Sequence, residues 1–191
     1  ATYSGPFIKL MNNISDKEAF SKIGLFTAND VRRMLDVEFI SELTIALLNG
    51  LQNKKDKLEV YYQIYEEEFT EEENVREIYD IVLGELLKIL PNISDTRWGK
   101  KTDFYSLFLV LANHRESLPL SKDKRVLMKE KLIQFNDQIK QRLTTSNDEP
   151  AKPFPKNVED YVKGMRATTD LSSRKNRNMA LENELESIWE E

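Results

Sequence analysis

The sequence is poor in the residues that build many catalytic and metal sites. Among its 191 residues there are no cysteines, one histidine and six glycines. The lack of cysteine excludes a disulfide scaffold, an iron–sulfur cluster, a thiolate zinc site and a cysteine nucleophile. The single histidine, His114, argues against a histidine-rich metal centre or a Ser–His–Asp triad. Six scattered glycines are too few for a phosphate-binding loop, so we predict no cofactor and no catalytic centre in this chain.

Long apolar runs and a strong net charge are also missing. No apolar run approaches the roughly 18 residues that a transmembrane helix needs, and the chain shows no signal-peptide pattern. With 28 Lys and Arg against 33 Asp and Glu, the net charge is −5, which excludes a uniformly basic coat for nucleic acid. We therefore expect a cytoplasmic protein without a membrane partner.

The apolar residues that are present follow a helical period. They recur at the spacing i, i+3, i+4, i+7, whereas strict alternation is rare. This pattern predicts an all-α fold, an irregular multi-helix bundle of about seven to nine helices. Thr27 is placed to cap a long helix that ends at Asn49 and Gly50. Residues 103–113 are apolar on nearly every side, which is typical of a central helix.

The sequence predicts three regions along the chain. Residues 1–143 are expected to form the main helical bundle. Residues 144–155, which are rich in Ser, Asn, Asp and Pro, are expected to form a linker or a surface loop. Residues 156–191 are expected to form a C-terminal helical pair that packs on the bundle.

Charge is distributed unevenly. Residues 122–142 hold seven basic and three acidic residues, and residues 163–177 hold five basic residues and one acidic residue. Residues 66–85 hold nine acidic residues and one basic residue. This polarity fits either a DNA-facing side or the ordinary scatter of charge on exposed helix faces. Under the first interpretation the candidate nucleic-acid contacts are Ser172, Arg174, Lys175, Arg177, Lys122, Lys124 and Arg125.

Three further features have both a structural and a functional interpretation. The acidic run at 66–68 and 71–73 suggests a metal or general-acid site or, since consecutive helical residues do not converge, a solvated helix end. His114 fits a helix C-terminus, where the helix dipole favours it, or a lone general base. Tyr61, Tyr62 and Tyr65 fit a packed stripe or a platform for stacking single-stranded bases.

Several short blocks of the chain share a pattern with a known family. Residues 1–7 resemble the pattern Asn-Ala-x-Tyr-x-Gly-x-Phe from its Ala onward, and residues 26–39 fit Phe-Thr-x-x-Asp-x-x-Arg-Met-x-Asp-x-Glu-Phe. Residues 50–55, residues 102–108 and the Arg-x-x-Arg pair at 174 and 177 fit as well. In these blocks the chain resembles domain-of-unknown-function family 262 of the ParB-like superfamily, which includes the GmrSD-type modification-dependent restriction proteins. The motif positions in the first two blocks are Tyr3, Gly5, Phe7, Asp30, Arg33, Met34 and Glu38.

The resemblance implies that the chemistry of such a protein lies outside this chain. The signature Asp-Gly-Gln-Gln-Arg motif of the family belongs to an N-terminal ParB-like domain, credited with nucleotide binding or hydrolysis, and that motif does not occur here. No His/Asn cluster of an HNH nuclease occurs either. We therefore expect the chain to be the helical part of a longer protein, made as a fragment.

The resemblance implies a non-catalytic accessory role for such a helical region. It would pack on the missing N-terminal domain, aid DNA contact or form a homo-oligomer. The alternative is a stand-alone helical adapter for protein–protein interaction. A third interpretation, an unrecognised enzyme, leaves only carboxylates, lysines and tyrosines for the chemistry.

Overall fold

The computed structural model describes residues 2–145 and 153–190. Within these ranges the regular structure is α-helix with three single turns of 3₁₀ helix, which confirms the all-α prediction. None of the helices described is both long and apolar enough to cross a membrane. Eight of the ten α-helices have seven or more residues. In chain order they are α1 (Pro6–Ser15), α2 (Glu18–Ile23), α3 (Ala28–Arg32), α4 (Leu35–Asn49), α5 (Leu58–Ile64), α6 (Glu72–Ile89), α7 (Lys101–Asn113), α8 (Lys122–Thr144), α9 (Lys156–Lys163) and α10 (Leu171–Trp189).

The long helix predicted from Thr27 to Gly50 is divided into α3 and α4. Its predicted start is correct, because the Thr27 hydroxyl and the Asp30 carboxylate form a reciprocal capping box. Between the two helices Met34 adopts a left-handed backbone conformation with φ of 55° and is 54% exposed. The prediction of one continuous helix was wrong, because the spacing of apolar residues does not reveal a single residue whose backbone angles interrupt the helix.

Helix α7 lies at the centre of the bundle, as its composition predicts. Ten of its thirteen residues are buried. It packs against α4, α6 and α10, and the ring centroids of Phe108 and Tyr79 of α6 are 4.8 Å apart. His114 is the residue directly after the end of α7, as the helix C-terminal interpretation predicts. Its ring stacks on Trp189 with centroids 4.2 Å apart, and Nε2 lies 2.7 Å from a Glu182 carboxylate oxygen.

Helices α9 and α10 share the apolar core of the preceding helices. Trp98 is fully buried, and its indole N–H donates to the carbonyl oxygen of Leu132 in α8 at 3.0 Å. Tyr161 of α9 packs on both Trp98 and Phe135, with ring centroids 6.0 and 5.4 Å apart. The C-terminal helices therefore close over α7 and α8. Most of the predicted linker 144–155, namely residues 146–152, lies outside the described residues.

The segment between α5 and α6 caps the first helix of the chain. Gly5 is the N-cap residue of α1 and has no side chain of its own to cap it. Instead the Glu66 carboxylate accepts hydrogen bonds from the backbone N–H groups of Ser4 and Gly5, at 3.0 and 3.1 Å. Glu66 thus belongs to a tertiary cap, while Tyr61, Tyr62 and Tyr65 pack against the core, as the stripe interpretation predicts.

Gly5 is required by this contact rather than by its backbone angles. A Cβ atom placed at Gly5 would lie 2.0 Å from the carbonyl oxygen of Glu66. We expect Gly5→Ala to lower the free energy of unfolding by about 1–3 kcal/mol, as for other overpacked sites. Gly84 is the matched control: it lies inside α6, where a Cβ atom would have no neighbour within 4 Å, so Gly84→Ala should raise stability by about 0.5–1 kcal/mol. Urea denaturation of both variants measures the two signs, and equal effects would contradict the contact.

Candidate functional site

Residues from separated parts of the chain converge on a cleft of about 300 Å³ between α4, α7 and the start of α10. Glu38 and Glu42 lie one turn apart on α4, so both face the same side. Arg174 and Arg177 lie three residues apart on α10 and likewise share a face. The polar residues that line the cleft are Glu38, Glu42, Lys101, Thr102, Tyr105, Thr168, Thr169, Arg174 and Arg177.

Arg174 joins α10 to α4 and to the segment that follows α4. Its Nη2 donates to Glu42 at 2.6 Å, and its Nη1 donates to the backbone carbonyl oxygens of Gln52 and Lys54, both at 2.9 Å. The guanidinium carbon lies 4.5 Å from the centroid of the Tyr105 ring, a cation–π arrangement. Arg174 is 3% exposed, so its charge is compensated inside the protein.

Arg177 is buried even more deeply, at 1% exposure, and is compensated differently. Its Nε donates to Ser106 Oγ at 2.9 Å, and its Nη1 donates to the carbonyl oxygen of Gly164. Among the described residues no carboxylate lies within ion-pair distance of Arg177. Burial lowers the pKa of the Arg177 guanidinium, since removing the cation from water disfavours the charged form. Nearby Tyr161 and Asp103 oppose that shift.

The Asp103 carboxylate near Arg177 already has two partners. One of its oxygens accepts hydrogen bonds from the Tyr161 hydroxyl at 2.5 Å and from Arg97 Nε at 3.2 Å. Burial and the Asp103 charge raise the pKa of the Tyr161 phenol, which therefore remains the donor in this pair. Asp103 acts on Arg177 only at a distance.

These contacts correct two of the predicted nucleic-acid contacts. Arg174 and Arg177 were expected on the surface, but both are interior residues whose side chains donate to acceptors of the chain itself. Two more predicted cations are also engaged. Arg125 donates to the buried Glu85 carboxylate at 2.9 and 3.2 Å, and Lys124 Nζ donates to the carbonyl oxygen of Glu190 at 2.8 Å.

Ser172, Lys175 and Lys122 are the predicted contacts that remain exposed. The structure does not bring them into one patch. Lys122 is the first residue of α8, and Lys124 in the same turn contacts the C-terminal end of α10. Ser172 and Lys175 lie at the N-terminal end of α10. A helix of the length of α10 spans about 28 Å, so the two predicted basic segments are well separated. The first amide of α10 is also engaged, because Leu171 N–H donates to Asn53 Oδ1 at 3.0 Å.

Tyr105 is a cleft residue that sequence reasoning missed. It is 3% exposed, and its hydroxyl has no hydrogen-bond partner among the described residues. Burial raises the pKa of Tyr105 to about 12, so the phenol keeps its proton at neutral pH and is available as a donor. Tyr105 belongs to the 102–108 block of the family resemblance, but its apolar neighbours in the sequence gave no sign of a polar role.

The family-motif residues of the first two blocks divide between two locations. Tyr3, Gly5 and Phe7 lie at the start of α1, where the Tyr3 hydroxyl donates to Glu59 and Phe7 packs in an aromatic cluster with Tyr62, Tyr65 and Phe69. Asp30 and Glu38 lie beside the cleft, where Asp30 pairs with Lys101 at 2.8 Å and Glu38 with Lys55 at 3.1 Å. Arg33 and Met34 are exposed at the junction of α3 and α4.

Comparisons with protein-family models, with curated proteins and with solved structures gave no match for this chain. Within residues 2–145 and 153–190, no group of three or more His, Asp or Glu side chains is placed to hold a metal ion. The candidate site is therefore described by its lining residues and their contacts. It is a partly polar cleft whose walls are fixed by buried arginines.

We expect Arg174→Met to lower the free energy of unfolding by about 3–5 kcal/mol, because it leaves the half-buried Glu42 carboxylate without its ion-pair partner. The neighbouring Lys175 is exposed and serves as the matched control. Lys175→Met should change stability by less than about 0.5 kcal/mol. Chemical denaturation at pH 7 compares the two variants, and a small effect at Arg174 would show that the buried pair is dispensable.

The same variant has a defined pH dependence. Burial raises the pKa of the Glu42 carboxyl above its usual value, and Arg174 opposes that shift. Removing Arg174 should raise the pKa further. Above the folded-state pKa of Glu42, the variant bears the full loss of stability from the unpaired, charged carboxylate. This loss decreases as the pH falls through that pKa, because the folded state takes up the proton more readily than the unfolded chain. The stability difference between Arg174→Met and wild type should therefore shrink from pH 8 to pH 5, and a constant difference would contradict this account.

Proposed function

We propose that this chain is a non-catalytic helical accessory region of a DNA-targeting protein of the restriction or phage-defence type. Its role would be to pack on a ParB-like domain and to hold that domain in position. One observation supports this proposal: of the blocks that carry the family resemblance, those at 26–39, 102–108 and 174–177 line one cleft, and the block at 50–55 contacts two of them. The single side chain of Arg174 donates to two carbonyl oxygens of the block at 50–55 and stacks on Tyr105 of the block at 102–108.

The roles of the motif residues fit a scaffold. Gly5 permits a close backbone contact, Arg174 joins three segments, and Arg177 ties α10 to α7 and to the turn at Gly164. These are contacts that fix helices relative to one another. A rigid helical body of this kind suits the positioning of a neighbouring domain, whose own residues would carry out the chemistry.

Any contact with DNA in this proposal belongs to exposed lysines and not to the arginines. Ser172 and Lys175 at one end of α10 and Lys122 at the other are the predicted residues that face solvent. The net charge of −5 makes strong non-specific binding unfavourable. The DNA contact is therefore auxiliary, and two separated lysine positions contribute to it.

A stand-alone adapter is the second candidate function. The outer face of α8 favours it, because Val126 and Ile133 are 50% and 36% exposed there, one above the other along the helix. Both line a shallow groove together with charged residues such as Lys129 and Asp137. Apolar side chains at this spacing with a polar rim are typical of a helix-mediated protein contact.

DNA contact is tested with the chain and a fluorescent duplex at about 50 mM salt, where weak electrostatic binding is strongest. We expect Lys122→Glu and Lys175→Glu each to weaken binding and to reduce the slope of log K against log salt by about 1. Lys88→Glu, on an exposed position of α6, is the charge-matched control and should have a smaller effect. The DNA-contact part of the proposal is rejected if the duplex does not bind or if all three variants behave alike.

Oligomeric state separates the accessory region from the adapter. An accessory region without its partner domain leaves an apolar interface uncovered and should self-associate as its concentration rises. An adapter should remain a monomer until it meets its partner. Analytical ultracentrifugation over about a hundredfold concentration range measures the difference. A strictly monomeric chain favours the adapter.

A further inference from the structure

The cleft between α4, α7 and α10 contains hydrogen-bond donors that the protein does not use. The Tyr105 hydroxyl belongs to a side chain only 3% exposed and has no partner among the described residues. Burying a hydroxyl without a hydrogen bond is unfavourable, and native structures avoid it except where a ligand or water supplies the partner. Thr102 and Thr168 also line the cleft, and their hydroxyls form no hydrogen bond within the described ranges.

The charges around the cleft leave one cation without an ion-pair partner among the described residues. Glu42 pairs with Arg174, Glu38 with Lys55, and Lys101 with Asp30. Arg177 alone among the cleft cations lacks a carboxylate within ion-pair distance in the described part of the chain. Its hydrogen bonds use Nε and Nη1, so the two N–H groups of Nη2 remain for another acceptor.

We propose that this cleft binds a small phosphate monoester. The phosphate group would accept hydrogen bonds from Arg177 Nη2, the Tyr105 hydroxyl and the threonine hydroxyls. The organic part would lie along Phe39 and Leu35, which form an apolar part of the lining.

Phosphate suits this arrangement better than other small ligands. Its several oxygens match donors that come from α7, α10 and the turn before α10, and the hydrogen bond from Arg177 Nη2 would be charge-assisted. A cationic ligand is disfavoured because both cleft carboxylates already have partners. The cleft volume of about 300 Å³ lies at the lower end of the range for small-molecule sites, so it accommodates a compact ester such as a mononucleotide.

This inference does not depend on the proposed accessory function, because it uses only the geometry of the cleft. The same chemistry has two sources: a free nucleotide or sugar phosphate, and the 5′-phosphate end of a nucleic acid. The two are distinguished by comparing adenosine monophosphate with a 5′-phosphorylated oligonucleotide, each against its unphosphorylated counterpart. Adenosine and a 5′-hydroxyl oligonucleotide are those counterparts.

Isothermal titration calorimetry of the chain with inorganic phosphate, and then with adenosine monophosphate, is the direct test. We expect the nucleotide to bind more tightly than inorganic phosphate and adenosine to bind at least about tenfold more weakly than the nucleotide, because adenosine lacks the charged acceptor. Binding of adenosine as tight as that of the monophosphate would overturn the proposal. So would the absence of heat with both phosphate and the nucleotide at millimolar concentration.

Tyr105→Phe locates the site. Since the Tyr105 hydroxyl forms no bond in the described protein, its removal should leave the thermal midpoint unchanged or slightly raised, yet weaken the nucleotide by about tenfold or more. Tyr79→Phe is the matched control, because the buried Tyr79 hydroxyl shares a hydrogen bond with Thr44 at 2.8 Å. This variant should lower the thermal midpoint and leave nucleotide affinity unchanged.

Thr168→Val is a second variant at the surface of the cleft, and it keeps the test independent of core packing. It should weaken the nucleotide several-fold with no loss of stability. If Tyr105→Phe and Thr168→Val both bind the nucleotide as wild type does, any phosphate site lies elsewhere and the proposal fails. A loss of binding in both variants, together with unchanged binding in Tyr79→Phe, supports it.

Discussion

The buried ion pair between Arg174 and Glu42 is the interaction on which the rest of the architecture depends. Removing a guanidinium from water is unfavourable unless acceptors inside the protein replace the water, and Arg174 finds a carboxylate on α4 and two carbonyl oxygens in the segment after α4. Arg174 reaches all three acceptors only when the start of α10 lies beside α4. The pair therefore selects one arrangement of the C-terminal helices over α7, and it sets one wall of the cleft.

The second arginine shows what this arrangement leaves incomplete. Arg177 occupies the next turn of the same face, where Gly164 permits its close approach: a Cβ there would lie 2.6 Å from Arg177 Cγ. Its partners are neutral, and the nearby Tyr105 hydroxyl has none in the described chain. The helix face that fixes α10 through Arg174 thus also carries Arg177, whose Nη2 forms no hydrogen bond among the described residues.

The sequence predicted features that depend on neighbours along the chain. The cap at Thr27, the central position of α7 and the place of His114 after it all follow from local patterns of polarity and helix termini. The predicted and observed environments of a residue differed where its burial or its partners depended on residues distant in the sequence. Arg174 and Arg177 were predicted to be surface cations because Lys175 and other charges surround them in sequence, and Glu66 was assigned to a solvated run although it caps α1.

The sequence by itself determined an all-α protein, the approximate positions of its helices, the absence of cysteine and the presence of a single histidine. Periodicity and composition act within a few residues, so they are visible without the fold. Tertiary structure decided which arginines are interior, which of the resembling blocks meet, and that a tyrosine lining the cleft has a buried hydroxyl without a partner among the described residues. The physical reason is that the cost of burying a charge or hydroxyl depends on acceptors that are distant in sequence, such as Glu42 for Arg174, and only the packed helices bring them together.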